Sequence, residues 1–300
     1  MTFPADPSGA LLREETFVCG ELRLNVAVGP CNGPPMVLLH GVTREWRDWL
    51  PVIPALMESW QVFALDHRGH GGSGHASGAY RVADFAADAL ALLSERVGAG
   101  AVLWGHSLGA MTAASMAARA PGIVRALVLE DPPGTMLVNG LSQSRFILQF
   151  EGVRELLTEK LSVDALTRRL ATLPVQHPRD GRIVKFRELR DEAALRFGAE
   201  CLVRMDPAVL DALLAERWLA GLDWFGELRG IACPTLLLRA DLDCGGMLSA
   251  SDAARIVEGI ARVRCVEHPG LGHSLHAADP QRILTCVFDF LQSFPPVPQP

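Results

Sequence analysis

Ala101-Val102-Leu103-Trp104-Gly105-His106-Ser107-Leu108-Gly109-Ala110 is the stretch that decides the fold. An apolar run ends at a serine that has glycine two residues away on each side. A strand that turns at once into a helix forces the turning residue into a strained backbone conformation, and its neighbours at minus two and plus two must then be small. The spacing predicts Ser107 at the exposed tip of such a turn. A bare G-x-S-x-G is weak evidence, because an ordinary Gly/Ser turn in another α/β protein carries the same letters. The context is more specific. Residues 108–120 form an Ala-rich helical pattern stopped by Pro121-Gly122, and Gly109, Ala110, Ala113, Ala114, Ala117 and Ala118 would let that helix approach a sheet closely.

Outward from this point, strands and helices alternate. Residues 16–19 and 22–28 read as two strands around Gly20, and 36–40 as the continuous apolar run that a parallel sheet buries on both faces. Residues 46–57 read as a helix interrupted at Pro51 and Pro54, 61–65 as a strand, and 66–74 as a glycine-rich loop. A helix over 82–97 ends at Gly98 and Gly100, and a strand over 126–130 ends abruptly at Asp131-Pro132-Pro133-Gly134. Residues 141–229 then show no clear strand, many Leu and Arg, and several amphipathic stretches. Strand character returns at 234–240 and 262–267, with helices over 249–260 and 281–291. The expectation is an α/β class with a mostly parallel sheet, its core built from 1–140 and 230–300 and interrupted by a helical insertion over 141–229.

Hydrophobic residues make up 49% and charged residues 21% of the 300, enough to bury a large core. A net charge of -6 offers no basic footprint for nucleic acid. The first residues lack a basic segment followed by an apolar one, and no run approaches membrane-spanning length. A cytoplasmic chain with no nucleic-acid or membrane partner is therefore expected. Seven scattered cysteines without a C-x-x-C pair read as reduced thiols, Cys244 among them.

A serine hydroxyl is a poor nucleophile near neutral pH and needs a base within hydrogen-bond reach, itself held by a third group. His273 is the candidate base, in the glycine-rich run His268-Pro269-Gly270-Leu271-Gly272-His273-Ser274-Leu275-His276 just past the last strand. His276 is its competitor, although no glycine precedes it.

With these residues in view the chain resembles the α/β-hydrolase superfamily over nearly its whole length outside 141–229. His40-Gly41-Val42-Thr43 is similar to the family's H-G loop, Asp66-His67-Arg68-Gly69-His70-Gly71-Gly72-Ser73 to its D-x-R-G-x-G-x-S segment, Gly105 to Gly109 to its nucleophile elbow, and Gly272-His273 to its histidine loop. The resemblance implies an α/β-hydrolase fold with a helical cap, Ser107 as nucleophile, and an oxyanion hole from the backbone N–H groups of Val42 and Leu108. It leaves two positions for the acid. One is Asp243, after the strand ending at Ala240; the other is Asp131, one strand earlier. Asp131 is favoured, because Pro132 and Pro133 fix it at a strand end, whereas Cys244-Gly245-Gly246 follows Asp243. The run from Asp241 to Ser249 also looks like the D-P-x-x-G-G-x-x-S/T variant of family members with the earlier acid.

The activity implied is hydrolysis of a carboxylic ester, lactone or activated amide without a cofactor, on a small molecule with an apolar acyl part. Carbon–carbon bond hydrolases, cofactor-free perhydrolases and non-catalytic ligand receptors share the scaffold and stay open as alternatives. Among the remaining residues, His67, His70 and His75 lack the pattern of a metal site and read as loop-structuring, as do Asp66 and Arg68. His106 either packs beneath the elbow or lines the pocket. Trp46 and Trp49, with Trp218, Trp224 and Phe225, either meet over Ser107 as an apolar pocket or pack in the core. Arg145 and other arginines of the insertion either bind a substrate carboxylate or form a solvated surface.

Overall fold

The computed structural model describes residues 12–134 and 140–293. Strands β1 (Arg13–Cys19) and β2 (Leu22–Val28) pair antiparallel about Gly20, whose φ of 60° suits a residue without Cβ. The strands that follow are β3 (Pro35–Leu39), β4 (Gln61–Leu65), β5 (Ala101–His106) and β6 (Val124–Glu130). Two short strands, β7 (Pro174–Gln176) and β8 (Ile183–Lys185), form a separate hairpin, and β9 (Thr235–Ala240) and β10 (Val263–His268) complete the set. The main sheet has eight strands in the order β1-β2-β4-β3-β5-β6-β9-β10, antiparallel at β1/β2 and β2/β4 and parallel elsewhere.

The apolar runs of the central strands bury both faces, and a period of two divides them between two clusters. Val37, Leu39, Leu103, Leu127 and Leu129 face α1 (Val82–Leu92) and α2 (Leu108–Arg119). Met36, Leu38, Val102, Trp104, Ala126 and Val128 face the other way, toward Trp46, Trp49 and the last helix, Pro280–Gln292. That helix starts cleanly, with Pro280 in its first turn and the Asp279 carboxylate accepting the Arg282 N–H at 3.1 Å.

Between β6 and β9 the chain leaves the sheet. It forms α3 (Ile147–Thr158), α4 (Val163–Thr172), the β7–β8 hairpin, α5 (Glu192–Leu202) and α6 (Ala208–Leu214). The hairpin corrects the expectation of a strand-free segment. Its strands are three residues long with one buried side chain each, Val175 and Val184, too little for alternation to register in the sequence. The apolar residues of this segment, including Phe150, Leu170, Leu202 and Leu210, join the cluster on the α1/α2 face of the sheet. No helix among the described residues is long and apolar enough to cross a membrane.

Candidate active site

β5 passes into α2 at Ser107, which has φ 55° and ψ -117°. The glycines around it answer to backbone collisions: a Cβ on Gly105 would stand 2.1 Å from the Gly109 carbonyl oxygen, and one on Gly109 would stand 1.9 Å from that of Leu39. Asp131, directly after β6, also has positive φ, at 40°. Each such non-glycine conformation costs about 1–3 kcal/mol and persists where the surroundings over-determine it. Here the Ser107 N–H donates to the Glu130 carbonyl at 2.9 Å and the Asp131 N–H to that of Leu238 at 2.8 Å, so the two strained residues are tied to neighbouring strand ends.

His273 comes to this edge on the loop after β10. Its Nδ1 lies 2.6 Å from Asp131 Oδ2. The same carboxylate is fully buried and accepts backbone N–H groups from Met247 at 2.8 Å, Ala240 at 3.2 Å and Leu248 at 3.4 Å. These donors belong to the end of β9 and the loop after it, which folds back over Asp131. Asp243, the alternative acid, stands apart: its side chain is exposed and lies 3.8 Å from Arg179. A tight turn over Leu242–Cys244 points it outward, while the following Gly246 fits because a Cβ would stand 2.9 Å from the Ala240 and Asp241 backbone.

His276, the competing base, is fully buried and turned away from Ser107. Its Nδ1 lies 2.7 Å from Glu130 Oε1, its Nε2 faces the Asp48 carbonyl at 3.1 Å and carboxylate at 3.4 Å, and its ring stacks on Trp49. Glu130 also accepts from Trp104 Nε1 at 2.9 Å. Burial by itself would strip the imidazole of its proton, but the flanking carboxylates of Glu130 and Asp48 override it and push the pKa up to about 10. Asp48 is buried too, yet hydrogen bonding to His276 and the nearby positive charges hold it well below the usual carboxylate range. This buried charge cluster joins residues far apart in sequence, and no spacing rule could have found it.

His106 lines the cavity beside Ser107, and its Nε2 donates to the His273 carbonyl at 3.1 Å, bracing the loop that carries the candidate base. Burial and the neighbouring histidines His273 and His276 keep it neutral, with its pKa well below the ordinary value.

The H-G loop is fixed by His40, whose role the sequence did not reveal, and by His70 against the Val42 carbonyl. His40 Nδ1 donates to the Gly41 carbonyl at 2.8 Å while its Nε2 accepts the His67 N–H at 3.0 Å; burial lowers its pKa to about 3, so it is neutral. Gly41 O also accepts the Arg44 N–H at 3.1 Å. Because the peptide is planar and trans, anchoring this carbonyl turns the Val42 N–H the opposite way. Neither the Val42 N–H nor the Leu108 N–H, at the first position of α2, has an acceptor among the described residues. Asp66 and Arg68 tie down their loop, Asp66 through Trp46 N, Gly72 N and Asn25 Nδ2, and Arg68 through a two-pronged pair with Asp88.

A small cavity of about 70 Å³ opens beside Ser107 and is lined on the core side by Val42, His106, Ser107 and His273. Phe146, Gln149, Phe150, Phe186 and Arg190 close it from the 141–229 segment. Trp46 and Trp49 do not line it. They sit in the cluster on the opposite face of the sheet, and the 46–49 turn is held there by Asp66 and by the stack on His276. Trp218 and Trp224 are core residues as well. The aromatic side chains over Ser107 are the phenylalanines of the insertion.

The sequence pattern of the α/β-hydrolase fold matches residues 34–280. A protein of Klebsiella pneumoniae named as a carbamate hydrolase is 30% identical over 284 residues, covering 92% of this chain and 98% of that one. The 2-(acetamidomethylene)succinate hydrolase of Mesorhizobium japonicum is 35% identical over 112 residues, 37% of this chain and 40% of the relative. The crystal structure of an N-formylmaleamic acid deformylase from Pseudomonas putida superposes with a TM-score of 0.72 over 92% of this chain and all of that one, at 19% identity. The elbow, the sheet order and these matches agree, and the chain belongs to the α/β-hydrolase fold family.

Proposed function

We propose that this protein is a serine hydrolase acting on a carboxylic ester, lactone or activated amide through an acyl-enzyme on Ser107. The observation that carries the reading is His273, held through Nδ1 at 2.6 Å by a buried Asp131 while its ring faces the cavity that Ser107 lines. Ser107 Oγ attacks the carbonyl carbon and its proton passes to His273 Nε2. Asp131 keeps the imidazole in the tautomer with Nδ1–H and stabilises the imidazolium. The tetrahedral oxyanion takes up the spare N–H groups of Val42 and Leu108, each worth roughly 3 kcal/mol in comparable sites. His273 then gives its proton to the leaving group, and a water activated by the same nitrogen releases the acid. Two N–H donors without an acceptor among the described residues, one in the cavity-lining H-G loop and one next to Ser107, suit acyl transfer and weigh against a non-catalytic receptor. The relatives named above carry the names of a carbamate hydrolase and a 2-(acetamidomethylene)succinate hydrolase, which favours the same class. The segment 141–229 serves as the cap, since it supplies the cavity's phenylalanines and therefore sets acyl selectivity.

A fluorophosphonate probe tests this directly. Wild type is expected to label at Ser107, and Ser107→Ala to lose both labelling and turnover of a short-chain ester panel. Wild-type protein that neither labels nor hydrolyses any panel member, or a Ser107→Ala variant with near-normal turnover, overturns the reading.

A further inference from the structure

Beyond Ser107 the cavity continues into a second one of about 40 Å³ that runs toward Leu195 and Leu202, and the two share Thr43, Arg44, Gln149, Phe186 and Arg190. No Asp or Glu lines either cavity among the described residues. Two guanidinium groups therefore stand at the junction without a carboxylate in the lining. Arg44 is partly occupied: its Nε is 3.5 Å from Asp48 and its Nη1 donates to the Thr43 carbonyl at 3.2 Å. Asp48 is shared with His276, so it does not neutralise Arg44 alone.

Arg190 has no side-chain hydrogen bond or ion pair among the described residues. Several other arginines of the segment are engaged, and Arg168, Arg187, Arg217 and Arg229, which also lack a side-chain partner among the described residues, line neither cavity. Arg154 pairs with Asp211, Arg169 with Glu159 and Arg196 with Asp164. Arg145 donates to the carbonyls of Pro178, Leu242 and Gly246 and thereby fastens the insertion to the loop after β9. Arg190 is exposed and also lines a third cavity of about 290 Å³ that includes Glu188 and Asp243; the protein around it lowers its pKa, and Arg44 pushes the same way. Two neighbouring guanidinium groups repel each other, and an anion bound between them relieves that repulsion.

We infer that Arg190, with Arg44 behind it, is a carboxylate subsite, and that the substrate is a compact carbonyl compound bearing a free carboxylate a few bonds from the scissile group. A free guanidinium fork offers two parallel N–H donors that match the two oxygens of a carboxylate. The two cavities are small, Phe146, Phe150 and Phe186 cover a short apolar link between the carbonyl and the charge, and the wider cavity on the other side of Arg190 carries the carboxylates of Glu188 and Asp243. This inference names the substrate class of the proposed serine hydrolase and rests on that reading.

The test compares monoethyl succinate with ethyl butyrate, which differ by a carboxylate in place of a methyl group, with ethanol release as the readout. Wild type is expected to favour the charged ester by about tenfold or more in kcat/KM. Arg190→Met is expected to cut that ratio by about 10- to 100-fold, mostly through KM, as expected when hydrogen bonds to a charged group are lost. Arg190→Lys keeps charge without the fork and falls between. A second measurement needs no turnover and no folded Arg190 variant: calorimetric titration of Ser107→Ala with succinate and with succinamide. Binding of succinate but not succinamide supports the subsite. Equal or absent binding of the two, or hydrolysis of both esters without preference, overturns it while leaving the serine-hydrolase reading intact. Failure of fluorophosphonate labelling overturns that reading alone, because the titration still reports on the subsite.

Discussion

Two carboxylates end strand β6 side by side, and two histidines three residues apart come to meet them, but the resulting pairs have opposite characters. Glu130 takes His276 into the core, where Trp49 stacks on the ring and Asp48 closes its far side. Asp131, turned out of the strand by its positive φ, takes His273 at the cavity edge and leaves Nε2 without a partner among the described residues. The same chemical pairing encloses one imidazole between two carboxylates and leaves the other with a ring nitrogen free for the proton transfer proposed for it. What separates them is whether the second ring nitrogen meets a carboxylate or a cavity, and that follows from the side of the sheet on which each loop residue lands.

The largest expected effect breaks this contrast at the histidines. His273→Ala is expected to lower kcat by about 10⁴-fold or more in a protein that folds normally, because it removes the ring that Asp131 orients toward the cavity. His276→Ala, measured per folded molecule, is expected to cost far less activity. The reverse ranking in steady-state kinetics would assign the proton transfer to the wrong ring.

Next in size is the contest between the acids. Asp131→Asn preserves volume but removes the charge that stabilises an imidazolium and can present the wrong group to Nδ1, so kcat is expected to fall about 10³- to 10⁴-fold. Asp243→Asn, at an exposed turn facing Arg179, is expected to stay within about threefold of wild type, as ordinary surface substitutions do. An Asp243→Asn enzyme as damaged as Asp131→Asn would mean that the loop after β9 rearranges during turnover.

Much of this arrangement was legible in the sequence because it is local. Gly105 and Gly109 are written into the elbow by backbone collisions, and the strands around it show uninterrupted apolar runs because both of their faces are covered. The pairing of Asp131 with His273 was harder to read, since what stabilises it includes the N–H groups of Met247 and Leu248, which carry no side-chain signature. For Trp46 and Trp49 the sequence leaves pocket and core open for a different reason. They follow the H-G loop closely in sequence, but the short turn over Trp46–Trp49 carries them to the face of the sheet opposite the insertion. The Glu130–His276–Asp48 cluster was invisible because its members come from three distant segments. A lone buried histidine, glutamate or aspartate says nothing in sequence about which partner will satisfy it.

The smallest expected effects lie in stability, and they sharpen the contrast from the buried side. His276→Gln leaves Glu130 and Asp48 without the cation between them, and breaking a buried pair from one side costs about 3–5 kcal/mol. The pH dependence of that loss identifies its origin. His276 has a folded pKa of about 10, above the ordinary value near 6.5, so the fold favours the protonated ring. Its contribution is complete below about pH 6.5 and is lost as pH rises through 10, because the native state binds the proton that the unfolded chain has released. Asp48 has the opposite sign. Its lowered pKa stabilises the fold above the ordinary carboxylate value and is lost as the pH falls below it. The stability gap between wild type and His276→Gln, measured by denaturant unfolding, is therefore expected to be widest from about pH 4 to 6.5 and to narrow steadily toward pH 10. A gap for His276→Gln that stays constant across this range would mean that the buried ring is neutral and that its role is packing against Trp49 alone.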